Sequence, residues 1–172
     1  MAVRFEELKV LQLAETVADK VWKFVVSWDG FAKETVGKQL VRAIDSVGAN
    51  IAEAYGRYHY GEKLQFLYYA RGSLFETKYW LNRAYSRALI HSNQFQELAD
   101  SLSDLVHQLN TFAKVTKSQR YKTYTSNKIS EQKPSYQLED SHLEQFLSNE
   151  NFPLFSIEDV EFLITLPTTS IT

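Results

Sequence analysis

The sequence predicts an all-α protein, an antiparallel up-down four-helix bundle with a C-terminal extension. Three observations carry this. Up to about residue 120, apolar residues recur at spacings of three and four in four successive blocks. The links between the blocks are short, which makes consecutive helices antiparallel neighbours. Three prolines and six glycines in 172 residues are too few for a turn-rich β fold.

Helix one is predicted over residues 5–28, with Leu8, Leu11, Ala14, Ala18, Val21, Val25 and Trp28 as its stripe. Leu13, Val17 and Phe24 widen it, while Val10 and Trp22 fall outside its centre. Small side chains at Ala14 and Ala18 invite a close neighbour. Asp29-Gly30 signals a turn that ends the helix. Helix two is predicted over residues 33–57, with Leu40, Ile44, Val47, Ile51 and Ala54 on one face. Gly37 and Gly48 lie inside it, each costing about 1 kcal/mol relative to Ala. Such glycines are kept where a neighbour comes close or the helix bends.

Helix three is predicted over residues 62–90, with Leu67, Ala70, Leu74, Thr77, Leu81, Ala84 and Ala88 on one stripe. It is also aromatic all round, at Phe66, Tyr68, Tyr69, Phe75, Tyr79, Trp80 and Tyr85. A helix apolar on several faces needs more than one partner surface. Ser92 is the expected N-cap of helix four. Phe95, Leu98, Leu102, Leu105, Leu109 and Phe112 then form the cleanest stripe in the chain. A basic run, Lys114, Lys117, Arg120 and Lys122, suits a helix C-terminus. From Tyr121 the composition turns to Ser, Thr, Lys and Gln, and residues 1–120 are read as the bundle and 121–172 as linker and tail. Within the tail, residues 138–147 suit a short helix, and Phe152–Phe155 and Val160–Leu166 are apolar patches.

Composition narrows the function classes. There is no cysteine, which excludes disulfides, thiolate metal sites and cysteine nucleophiles. No apolar run reaches membrane-spanning length, and the N-terminus lacks an apolar signal core, so no membrane partner and a cytoplasmic location are expected. The net charge of -2 hides an asymmetry. Residues 1–122 carry 17 Lys+Arg against 13 Asp+Glu, and residues 123–172 carry 2 against 8. A mildly basic body is followed by an acidic tail.

Three motifs follow in order: Gln39-Leu-Val-Arg-Ala43, Ser46-Val-Gly-Ala-Asn-Ile-Ala-Glu53 and Ala70-Arg-Gly-Ser-Leu-Phe-Glu76. Together with Phe5-Glu-Glu-Leu8 they resemble the four-helix-bundle proteins encoded in intervening sequences of bacterial 23S rRNA genes. That pattern is close to Q-x-x-R-A-x-x-S-I-x-x-N-I-A-E-G followed by A-x-G-S-L-x-E. The resemblance covers about two thirds of the chain and leaves out the tail. Gly48 stands where the family often has Pro, and Ala54 where it usually has Gly. The resemblance implies a bend in helix two and a homopentamer around a central channel. It also implies kinship with the accessory variability determinant of diversity-generating retroelements, which binds a reverse transcriptase and nucleic acid.

A polar stripe runs beside the apolar one. Arg42, Ser46, Asn50 and Glu53 share a face of helix two, and Ser73 and Glu76 share a face of helix three. The favoured reading is a network tying helices or protomers together, with Arg42 meeting Glu53 or Glu76 on a neighbour. The other reading is a ligand or nucleic-acid site lined by Arg42, Asn50 and Arg57. Candidate nucleic-acid contacts are Arg57, Arg83, Arg87, Lys114, Lys117 and Arg120. The aromatics Trp22, Trp28, Tyr68, Phe75, Tyr79 and Tyr85 suit either base stacking or a subunit interface, and the interface is favoured.

Enzyme motifs are sparse. Asp104-Leu-Val-His107 and Glu139-Asp-Ser-His142 are isolated pairs that cannot complete a metal site alone. His59, His91, His107 and His142 show no catalytic spacing. Gly72-Ser73 lacks the strand-turn-helix setting of a nucleophile elbow and is read as a point of close helix approach. The expectation is a scaffold without catalytic residues, metal or cofactor, binding itself and a protein or nucleic-acid partner.

Overall fold

A computed structural model describes residues 4–127 and 157–165. Every regular element among them is helical: a 3-10 turn at Phe5–Glu7, α1 (Lys9–Val25), α2 (Gly30–Ala32), a π-helical turn at Lys33–Gly37, α3 (Lys38–Gly56), α4 (Tyr60–Ser86), α5 (Ser92–Asn127) and α6 (Ile157–Ile164). The long helices pack in a closed order. α1 lies against α3 and α5, and α4 lies against α3 and α5. The predicted stripes meet in the middle, where Val17, Ile44, Val47, Ile51, Leu67, Leu74, Leu105 and Leu109 have no exposed surface. Burial of each such side chain stabilises by about 1.5–3 kcal/mol.

Helix starts and stops differ from the periodicity in ways that local chemistry explains. Helix one ends at Val25, not Trp28, and Asp29 opens the next helix: its carboxylate accepts from the Ala32 amide at 3.0 Å. Val10 proves buried, whereas Leu8 and Ala18 are half-buried, so the α1 stripe is rotated slightly from the sequence reading. α3 is α-helical through Gly48, and the irregularity sits instead in the π turn at Lys33–Gly37. A Cβ on Gly37 would stand 2.6 Å from Val25 Cγ1. The extra residue in that turn brings the backbone against α1, where only a glycine fits. Gly48 faces Ala14, at 3.9 Å from Cβ to Cβ position, the close neighbour that small Ala14 invites.

α4 closes earlier than residue 90. The Leu89 amide donates to the Ala84 carbonyl and the Ala88 amide to the Tyr85 carbonyl, both at 2.9 Å, the Schellman pattern. Ala88 takes the left-handed position of that cap, at φ 56°, so it is not part of the stripe. The N-cap of α5 is His91 rather than Ser92: Gln94 Oε1 accepts from the His91 amide at 2.8 Å, the side-chain half of a capping box. α5 then continues to Asn127, through the point where the composition suggests a linker. Of the tail, residues 160–164 of the second apolar patch lie in α6, while Leu166, residues 138–147 and Phe152–Phe155 lie outside the described residues.

Candidate functional site

The conspicuous polar residues of α3 and α4 come together only in part. Asn50 Nδ2 donates to the Ser46 carbonyl at 2.8 Å and reaches Ser73 Oγ at 3.4 Å. Ser73 in turn donates to the Tyr69 carbonyl at 3.1 Å. This is one cross-helix contact, half-buried, between side chains whose spacing places them on facing stripes. Glu53 does not reach α4; it pairs with Arg57 one turn along its own helix. Arg42 and Glu76 are exposed, and neither forms an ion pair among the described residues. Gly72 is exposed too, with no atom within 4 Å of a Cβ placed there. Within one chain it is therefore not a point of close helix approach.

An open cleft of roughly 470 Å³ lies at the α3–α4 corner, lined by Ala52, Glu53, Gly56, Arg57, Tyr58 and Glu62. Arg57 lies over the Phe66 ring at 4.7 Å, a cation–π arrangement. The other candidate cations scatter. Arg83 sits 5.9 Å from the Tyr79 ring, and Arg87 and Lys114 are exposed. Lys117 is 5 % exposed, and burial lowers its pKa, so it does not present an ammonium to solvent as Lys114 does. Arg120 lies on α5, and its side chain is outside those described. Asp104 and His107 are exposed, and no group of three or more His, Asp or Glu side chains gathers among the described residues. His142 and Glu139 lie outside the described residues. No described helix is long and apolar enough to cross a membrane.

A second polar constellation escapes the motif reading. Lys78 is fully buried. Its Nζ donates to the Thr165 carbonyl at 2.6 Å and lies 4.4 Å from the centre of the Phe95 ring. Burial pushes its pKa down to about 8. Arg71 pairs with Asp159 at 2.9 Å, and Phe75 stacks on Phe162 at 5.8 Å. The sequence held one signal for Lys78: it falls four after Leu74 and three before Leu81, inside the apolar stripe.

The sequence model of the 23S rRNA-intervening sequence proteins matches residues 6–111. The chain belongs to that family. The match covers α1 to α4 and the part of α5 that carries Phe95–Leu109, and it contains the Asn50–Ser73 contact. The rest of α5 and the whole of α6 lie beyond it. In this family member, then, Arg71, Phe75 and Lys78 sit on matched sequence, whereas their contacts on α6 do not. No curated protein matches the sequence.

Proposed function

We propose that the four long helices form an up-down bundle that assembles as a homopentamer, a non-enzymatic scaffold for a protein or nucleic-acid partner. The observation that carries this is the aromatic surface left over once the core is complete. Phe31 is 81 % exposed and Tyr58 88 %, and Trp22, Tyr69 and Tyr79 are each at least half exposed. Large exposed apolar groups mark interaction surfaces, and Trp, Tyr and Phe are enriched in them. Light scattering on the full chain at micromolar concentration tests the assembly. A particle of five chains is expected, and a monomer would overturn the ring.

A second reading is a nucleic-acid-binding accessory protein, of a reverse-transcribing or an rRNA-associated element. The Arg57–Phe66 and Arg83–Tyr79 pairs favour it, since they set cations beside rings. Five copies would also multiply the basic surplus of residues 1–122. A salt titration of RNA and DNA binding separates the two readings. Affinity falling steeply with salt supports the second, and no binding at low salt removes it.

A further inference from the structure

α3 and α4 each carry two stripes at helical spacing, one turned to the core and one turned away from it. On α4 the outward stripe is Gln65, Tyr69, Gly72, Glu76, Tyr79 and Arg83, spaced 4, 3, 4, 3 and 4. All but Arg83 are exposed, Tyr69 at 50 % and Tyr79 at 54 %. On α3 it is Arg42, Ser46, Ala49, Glu53 and Gly56, spaced 4, 3, 4 and 3, and all but Ser46 are exposed. Such spacing keeps each set on one face, opposite the buried stripes through Ile44 and Leu74. One apolar stripe is enough to seat a helix in its own bundle. A second repeat of the same period on the far side marks a second helix partner.

The two outward stripes complement each other. That of α4 carries the bulk, in Tyr69 and Tyr79, and one carboxylate, Glu76. That of α3 is small at Ser46, Ala49 and Gly56. Its Glu53 is already paired with Arg57, which leaves Arg42 as its available charge. The contacts Asn50–Ser73, Arg57–Phe66 and Tyr55–Lys63 fix α3 and α4 as antiparallel neighbours. Within one chain the outward stripes therefore stand side by side and do not face each other. Gly72 is an independent sign. An interior glycine weakens a helix relative to alanine, yet nothing among the described residues lies within 4 Å of a Cβ placed there. Its smallness serves no contact inside the chain and leaves room for another backbone.

We propose that the outward stripe of α4 docks on the outward stripe of α3 of a second copy of this chain, with Glu76 set against Arg42 of that copy and the two tyrosines over its small residues. The inference rests on the assembly proposed above and names its seam. The occupant follows from the chain itself, since the shape and charge of one stripe are answered by the other and every copy carries both. The two stripes are different surfaces, so the contact is head-to-tail, and its repetition about an axis closes a ring. The charge pair across the seam sets its register and excludes wrong pairings.

The test is the mass of the full chain and its variants by light scattering over a micromolar dilution series, with circular dichroism on the same samples. Arg42→Glu and Glu76→Arg each place like charges across the seam and are expected to raise the half-assembly concentration about tenfold or more. The chain carrying both substitutions restores the pair with its signs exchanged and is expected to regain the assembled mass. Gly72→Arg, at a site with open space in one chain, is expected to keep helicity and lose assembly. Lys114→Glu, exposed on α5, is expected to leave the mass unchanged. An assembled unmodified chain whose mass none of the Arg42, Glu76 and Gly72 variants alters overturns this seam and leaves the ring standing. So does a double variant that stays dissociated, or equal dissociation by Lys114→Glu, which would make net charge the cause. A monomeric unmodified chain overturns the ring and the seam together.

Discussion

The ammonium of Lys78 donates to the carbonyl oxygen of Thr165 across 2.6 Å, joining the middle of α4 to the end of α6. A buried lysine is costly when charged, and here burial lowers the pKa from 10.5 to about 8. The unfolded chain keeps this proton up to about 10.5, while the folded chain releases it above about 8. Across that window the unfolded state holds more protons, so stability rises with pH. Below about 8 both states are protonated, and the folded state carries the cost of the buried charge. Relative to Lys78→Met, the unmodified chain is expected to gain up to ~3 kcal/mol between those limits. Lys63 and Lys117 are also lowered by burial, but they titrate in both chains and cancel. Denaturant midpoints measured for the pair from pH 7 upward check this, and parallel curves would contradict it.

Gly37 and Gly48 are both helical glycines, but substitution should act in opposite directions. At Gly37 a methyl would meet Val25 Cγ1 at 2.6 Å and the Ala32 carbonyl oxygen at 3.3 Å. Val25 is β-branched and buried, so it cannot swing clear. Gly37→Ala is expected to cost about 1–3 kcal/mol. At Gly48 the nearest atom is Ala14 Cβ at 3.9 Å, ordinary contact. Gly48→Ala is expected to stabilise by about 1 kcal/mol through helix propensity. Thermal melts of the two variants decide it.

Ala88 holds the left-handed position of the α4 cap at φ 56°. That conformation costs a side-chain-bearing residue roughly 1–2 kcal/mol and a glycine much less. Ala88→Gly is expected to raise stability by about 1 kcal/mol, read as a higher Tm. An unchanged or lower Tm would mean that the cap gains nothing from glycine.

The Asn50–Ser73 contact is long, at 3.4 Å, and half-buried, so it contributes little to a single chain. Asn50→Leu is expected to leave helicity unchanged while reducing the assembled fraction, and so is Glu76→Leu at its exposed site. Circular dichroism with light scattering reads both quantities. Unchanged mass in both variants would place the subunit contacts elsewhere.

Removal of residues 128–172 is expected to leave α1 and α3–α5 helical. The loss should exceed the burial of Leu163 alone, about 2 kcal/mol, because the Arg71–Asp159, Phe75–Phe162 and Lys78–Thr165 contacts go with it, and it is read as a lower Tm. Collapse of helicity would show that the long helices do not close a core without α6.

The four long helices, their buried faces and the family were legible in the sequence because they rest on local periodicity. Spacings of three and four place Leu40, Ile44 and Val47 on one face whatever lies opposite, and a motif is read residue by residue along the chain. Asn50 and Ser73 were legible for the same reason. The tertiary structure decided what depends on distant groups. That Gly37 needs to be glycine follows from Val25 of another helix. Glu53 pairs with Arg57 one turn along its own helix, and no ion pair joins it to α4 among the described residues. Lys78 is tolerable inside an apolar stripe because Phe95 and the Thr165 carbonyl surround its ammonium. Arg71 and Asp159 lie 88 positions apart, and periodicity over a few turns carries no information about such a pairing. Only the folded chain, by seating α6 along α4 and α5, gives these side chains partners.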